Sequence, residues 1–160
     1  MAAKRAPMTP AVRAMRDAGL EYSEHLFDYQ THPGALGAAE AIGVDPHEVV
    51  KTLVMAIDAG NGVLVLMHGD RKVSTKSLAR LLGAKRAGPA PANQARRWTG
   101  YEFGGTSPFG TRRRLPVYAE KTIADLPRAY LNAGRRGFLV GLDPKPMLAD
   151  LEAKLVNVAG

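Results

Sequence analysis

Apolar and polar positions change period repeatedly along this chain, and each change predicts a new element. The stretch TPAVRAMRDAG reads as a helix: Thr9 suits the N-cap, Pro10 the first helical position and Gly19 the stop. In EYSEHLFDY, Tyr22, Glu24 and Leu26 alternate with Ser23, His25 and Phe27, an imperfect period of two that predicts a strand. THPGALGAAEAIGV begins as a turn and becomes a short Ala-rich helix ending near Gly43. Asp45 and Pro46 read as a second cap and first-turn pair.

The middle of the chain carries its strongest apolar signal. Val49 to Ile57 is an apolar run broken only by Lys51 and Thr52, and Val63 to Met67 is a second run. Asn61-Gly62 between them is a hairpin signal, so these two strands are expected at the centre of a sheet. VSTKSLARLLGAK predicts a helix capped by Ser74 or Thr75, buried through Leu78, Leu81 and Leu82, and ended by Gly83. AKRAG reads as a short strand and NQARRWTG as a short helix closed by Gly100. Further on, LPVYAE predicts a strand and KTIADLP a helical turn. RAYLNAG and GFLVGL are two strands around the turn Gly134–Gly137. DPKPMLADLEAKL is a terminal helix capped by Asp143, and VNVA reads as a last strand. Short strands mixed with helices predict an α/β or α+β sheet or barrel rather than a doubly wound parallel sheet.

Composition narrows the class. At 160 residues the chain fits one domain, and 46% apolar residues allow a sizeable core. No internal repeat or long linker interrupts it; residues 1–8 are expected to be a flexible tail and 9–160 the domain. Lys and Arg number 22 against 15 acidic residues, a formal charge of +7 that favours polyanionic partners such as nucleic acid. The absence of cysteine removes disulfides, thiolate metal sites and a thiol nucleophile. No apolar run is long enough to cross a bilayer, and MAAKRAPMTP lacks the apolar core of a secretory signal, so a cytoplasmic location is expected.

Candidate chemistry is sparse. Lys51 interrupts a buried strand, where its ammonium must reach either water or an anion such as a phosphate. The histidines His25, His32, His47 and His68 have no metal spacing and no visible nucleophile partner, so surface or capping roles are expected. GGTSPFG (Gly104–Gly110) resembles a Gly-rich phosphate loop but lacks the Walker spacing and the following Lys-Ser/Thr. Its glycines could bring backbone close to a ligand, or the segment could be a plain turn. Arg112, Arg113 and Arg114, with Arg135 and Arg136, form two basic clusters at turns, open either to solvent or to an anionic partner. Trp98 and Tyr101 lie nearby; one could stack on a base, although core packing suits a lone Trp near a helix end.

Four segments, VVKTLVM, MHGDRKVSTKSLARLLGAK, TGYEFGGTSPFGTRRRLPVY and LNAGRRGFLVGL, resemble in order and spacing the YbaK/EbsC family of aminoacyl-tRNA deacylases. The opening TPAVRAMRDAGLEYSEHLFDY fits as well, so the resemblance runs nearly end to end. It extends to the editing insertion of bacterial prolyl-tRNA synthetase. It implies a single compact α/β domain with a mixed, barrel-like sheet flanked by short helices. It also implies hydrolysis of mischarged tRNA in trans, most often Cys-tRNA(Pro), with no metal or organic cofactor, the protein acting on tRNA either alone or together with a prolyl synthetase. Carried over residue by residue, Lys51 matches the family's essential lysine, expected on the terminal adenosine's phosphate or sugar. Gly104 and Gly105 match the glycines whose backbone lines the aminoacyl pocket. Thr52, Ser107 and Pro108 are then neighbours of that pocket, with Phe27, Asn132 and Gly134 in its wall, and the arginines 112–114, 135 and 136 face tRNA.

The chain departs from the family in three places. Asn132-Ala133-Gly134 stands where many relatives have Ser-Gly-Gly; Phe138, Leu139 and Val140 are apolar where many have an acidic residue; and Phe27 stands where a tyrosine is common. These changes bear on amino-acid preference. A deacylase for another amino acid such as alanine, and a basic module that binds tRNA or a synthetase without turnover, are the competing expectations.

Overall fold

The computed structural model describes residues 6–160. Of the expected tail, residues 1–5 lie outside the described residues, and Ala6 already packs against the main core. Helix α1 (Pro10–Asp17) starts as its sequence demands: the Thr9 hydroxyl accepts from the Val12 amide at 3.1 Å, and Pro10 occupies the first turn. The same hydroxyl donates to the Ala133 carbonyl at 2.5 Å, which ties the helix start to a turn 124 residues away.

The strands form two sheets. Strands β1 (Ser23–Leu26), β6 (Ala129–Asn132) and β7 (Phe138–Leu142) make an antiparallel sheet with β7 in the centre. The second is mixed and runs β4 (Ala87–Pro89), β2 (Val50–Ile57), β3 (Asn61–His68), β5 (Val117–Glu120), β8 (Lys154–Val156). Its first three strands pair antiparallel, while β5 and β8 add on in parallel. A single bridge, Val49 to Tyr130, joins the sheets just before β2. The expected single domain of mixed α/β type is therefore present, but its barrel-like sheet is two sheets meeting at one corner, with no closed barrel among the described residues.

Alternate residues of β3 show why the five-stranded sheet is stable. Leu64 and Leu66 face the larger core, with α1, Phe138, Val140 and α5 (Pro144–Asp150). Val63, Val65 and Met67 face a smaller core, closed by Leu78 of α3 (Thr75–Leu81) and by Val158. Both faces are covered, so β3 reads as a continuous apolar run instead of an alternating one. Two more helices complete the fold, α2 (Gly34–Ile42) and α4 (Ala92–Thr99); Gly43 and Gly100 end them in the left-handed conformation.

Three local expectations are corrected. The central hairpin turns at Asp58–Gly60, with Ile57 paired to Asn61. Asn61-Gly62 is already in strand, and Gly62 is small because the Trp98 ring covers it: a Cβ there would meet the ring at 2.5 Å. The terminal helix stops at Asp150, because Lys154–Val156 leaves it to pair with β5. Last, the strand expected in VNVA is only partial: Val156 ends β8 and Ala159 makes a single bridge to Val73, while a side chain holds the amides of this segment. The buried Glu120 carboxylate accepts from the Val158 and Ala159 amides at 2.6 and 3.1 Å.

Candidate functional site

Lys51 sits second in β2, opposite Met67 of β3, and is half-buried. Its ammonium donates to the Arg71 carbonyl at 2.5 Å, on the turn that follows β3. Burial lowers its pKa, the nearby Asp70 charge opposes that, and Lys72 adds to the lowering. The turn itself is braced. The Gly69 amide donates to Val49 at 2.6 Å, and a Cβ on Gly69 would meet the Pro46 carbonyl at 2.6 Å. His47 pairs with Asp70 at 2.9 Å and stacks on His68 with ring centroids 3.7 Å apart. His68 departs from the expected surface or capping role: it is 1% exposed, donates through Nδ1 to the His47 carbonyl, and accepts through Nε2 from Thr122. That pattern fits the neutral ring, and burial lowers its pKa. The sequence gives no spacing signal for this pair, because 21 residues separate the two rings.

Two cavities open on either side of Lys51. The first, about 380 Å³, is walled by Phe27, Tyr29, Ala38, Gly104, Asn132 and Leu139, among others. The second, about 350 Å³, lies between Lys72 and Thr75 on one side and Pro89, Ala92 and Ala95 on the other. Lys51, Thr52, Leu53, Phe103 and Thr106 line both. At this seam the Thr52 hydroxyl is the one buried side-chain polar atom without a hydrogen-bond partner among the described residues. An unpaired buried hydroxyl costs about 1–3 kcal/mol, so Thr52 is an exception to the pairing of buried polar groups elsewhere in the fold.

The Gly-rich segment is a shaped wall. Gly104 has φ +89°, and a Cβ there would lie 2.6 Å from the Tyr29 hydroxyl. Gly105 is buried behind it, where a Cβ would come within 2.8 Å of the Arg135–Arg136 backbone. The fully buried Ser107 accepts from the Phe109 amide at 3.1 Å, Pro108 is buried beside it, and Tyr101 donates to the Phe109 carbonyl at 2.6 Å. Gly134, φ +94°, packs under Tyr101 and Thr9. Of the expected pocket residues, Lys51, Thr52, Gly104, Phe27 and Asn132 line the first cavity. Gly105, Ser107, Pro108 and Gly134 stand behind its lining.

The arginines separate. Arg136 donates to the Phe103 carbonyl at 2.7 Å and lies over the Tyr29 ring, and Arg135 is exposed beside it. Arg112 runs along Gly100, while Arg113 and Arg114 flank a shallow depression with Ile57 and Asn61. That is the far end of the β2–β3 hairpin, six strand residues or about 20 Å from Lys51. Arg114 also pairs with Glu152 at 2.5 Å.

Sequence reasoning missed Tyr29, Phe103 and Thr106. A signal existed for Tyr29: it follows Phe27 by two positions, in phase with the alternation read over residues 22–27, although the chain turns at residues 29–30. Among the described residues no three His, Asp or Glu side chains converge as metal ligands would, and no helix is long and apolar enough to cross a membrane.

Comparison with known proteins matches this arrangement to named relatives. A candidate Cys-tRNA(Pro)/Cys-tRNA(Cys) deacylase of Enterococcus faecalis, EbsC, is 28% identical over 88% of this chain and 87% of its own. A proline–tRNA ligase of Streptococcus equi is 29% identical over 75% of this chain, which spans only 19% of that enzyme. The crystal structure of a candidate trans-editing enzyme for prolyl-tRNA synthetase superposes with a TM-score of 0.83 at 25% identity, covering 96% of this chain and 99% of that one. The model of the aminoacyl-tRNA editing domain matches residues 34–149, from the first turn of α2 to the end of α5, and the chain belongs to that family.

Proposed function

We propose that this protein hydrolyses the ester of mischarged tRNA in trans, with Cys-tRNA(Pro) as its first substrate. The observation that supports this is the lining of the first cavity. It contains Lys51, the unpaired Thr52 hydroxyl and the Gly104 backbone, but no Ser, Cys, His, Asp or Glu. A site with none of these five residue types, and with its one lysine assigned to the nucleotide, suits a substrate that brings its own nucleophile.

A cysteinyl ester does so. Its thiol sulfur attacks the ester carbonyl, the S–C bond forms, the C–O bond to the ribose breaks, and the thiol proton ends on the ribose oxygen. Water then opens the cyclic thioester to free cysteine. The protein's part is to orient the ester and stabilise charge: Lys51 holds the phosphate or sugar of the terminal adenosine, and the Gly104 backbone, with Gly105 fixed behind it, shapes the space for the carbonyl. Such effects are worth several kcal/mol, roughly 10²-fold or more in rate. In this reading the exposed Arg135 and its neighbour Arg136, which touches Phe103 and Tyr29 of the cavity lining, meet tRNA.

The apolar wall of Phe27, Ala38 and Leu139 favours a second reading, a small apolar amino acid such as alanine attacked by water. A panel of labelled mischarged tRNAs, with Cys-tRNA(Pro) and Ala-tRNA(Pro) foremost, separates the two. Release at the rate of the buffer blank for every member would leave a tRNA- or synthetase-binding module. Adding prolyl-tRNA synthetase to the same assay tests whether that enzyme is a partner.

A further inference from the structure

The second cavity shares its seam with the first, and the reading above leaves it without an occupant. An aminoacyl ester also has two halves, an amino acid and a nucleoside, joined at the ester oxygen. With the amino acid set beside Gly104 and Asn132, the space open to the nucleoside across the Lys51–Thr52 seam is the second cavity. Lys72 lines this cavity and not the first, while Lys51 lines both, so the second cavity has two ammonium groups at its edge and the first has one. Small or compact residues, Pro89, Ala90, Ala92 and Ala95, also line it.

Phe103 stands at the seam with 81% of its surface exposed. A lone exposed apolar side chain is ordinary. This one is presented on a fixed backbone, its carbonyl held by Arg136 at 2.7 Å and the next turn closed by the Gly105 amide on Glu102 at 3.0 Å. We infer that the second cavity is the subsite for the terminal nucleoside of the acceptor end, with Phe103 as the ring on which its base stacks and Lys72 as a second phosphate contact. This rests on the aminoacyl-tRNA reading above. Base–aromatic stacking accepts any base, so the subsite reads the presence of a base and not its identity.

The test is a double-mutant cycle. Binding of an uncharged RNA minihelix ending in CCA is compared with binding of the same minihelix whose last nucleotide is abasic, using wild type, Phe103→Ala and Phe103→Trp. In wild type, loss of the base is expected to weaken binding about 5-fold to 100-fold. In Phe103→Ala the same loss should cost less than 2-fold, and Phe103→Trp should restore the wild-type difference. Lys72→Ala should weaken both RNAs equally. Equal base dependence in wild type and Phe103→Ala would overturn the stacking role. A minihelix bound equally well with and without its base by wild type would overturn the subsite, even if the panel of mischarged tRNAs is hydrolysed. Failure on that panel is the separate sign that the underlying reading is wrong.

Discussion

Gly105 lies flat against the peptide between Arg135 and Arg136, so that a Cβ would come within 2.8 Å of the Arg136 nitrogen. Two segments thirty residues apart thus share one surface with no room for a side chain. Gly105→Ala is expected to push them apart at a cost of about 1–3 kcal/mol, read as a lower denaturation midpoint. Gly104→Ala meets Tyr29 and a positive φ instead, in the cavity lining. It should lose more deacylation than its loss of stability accounts for, as measured on the same preparation.

Thr52→Val separates stability from function. Its hydroxyl has no partner in the protein, so removing it should leave stability unchanged or raise it by about 1 kcal/mol. If that hydroxyl completes a contact with the ester, kcat/KM should fall about 10-fold. A valine variant that is both stable and fully active would assign Thr52 no part in the reaction.

Lys51→Ala should reduce deacylation by about 10²-fold with little change in unfolding. In the proposed role the ammonium is the active form, and burial has lowered its pKa below the usual lysine value. Activity should therefore fall as pH rises through that lowered value, earlier than an exposed lysine would allow. Lys51→Arg, if it retains activity, should move this alkaline limb upward. Rates are read above the spontaneous hydrolysis of the ester at each pH.

His68 makes a prediction about acid stability. Its folded pKa is lowered, so below about pH 6.5 the unfolded chain binds a proton that the folded one resists. Stability should fall as pH drops from about 6.5 to the folded pKa and flatten below it. His25, lowered by burial and by Arg128, adds in the same direction. His68→Gln should shallow the slope of midpoint against pH.

The two arginine clusters should behave differently. Arg135→Ala and Arg136→Ala lie at the cavity rim, and each should weaken tRNA binding and lower the salt slope by about one unit. Arg114→Ala, paired with Glu152 about 20 Å from Lys51, should change neither single-turnover rate nor binding by more than about 2-fold.

Local signals proved readable where one residue's chemistry decides a local form. Thr9, Ser74 and Asp143 cap the helices expected of them, Gly43 and Gly100 stop theirs, and β6 and β7 flank the turn at Gly134–Gly137. Tertiary contacts overrode the rest. Gly62 is glycine for Trp98 rather than for a turn, and His68 is buried because Thr122 and the His47 carbonyl satisfy both ring nitrogens. The site followed the same division. Lys51 was visible as a charge in an apolar run, and Gly104 as a glycine before a shaped segment, but their pairing came through family resemblance. Phe103 carries no pattern at all, since one exposed aromatic beside charged Glu102 looks like any surface position.

The hydrogen bond from Thr9 to Ala133 has a consequence for the order in which the molecule assembles. It joins the start of α1 to the turn that backs Gly105, across 124 residues of chain. Contacts of such long sequence separation slow folding, because a large loop must close before they form. A nascent chain that has left the ribosome as far as Glu120 can pair β2 with β3, but it lacks the Asn132 and Leu139 part of the first cavity's wall and the turn that backs Gly105. Catalytic competence should therefore appear late in refolding, after most of the β-sheet signal has returned, and a stopped-flow trace followed by both probes would display the lag.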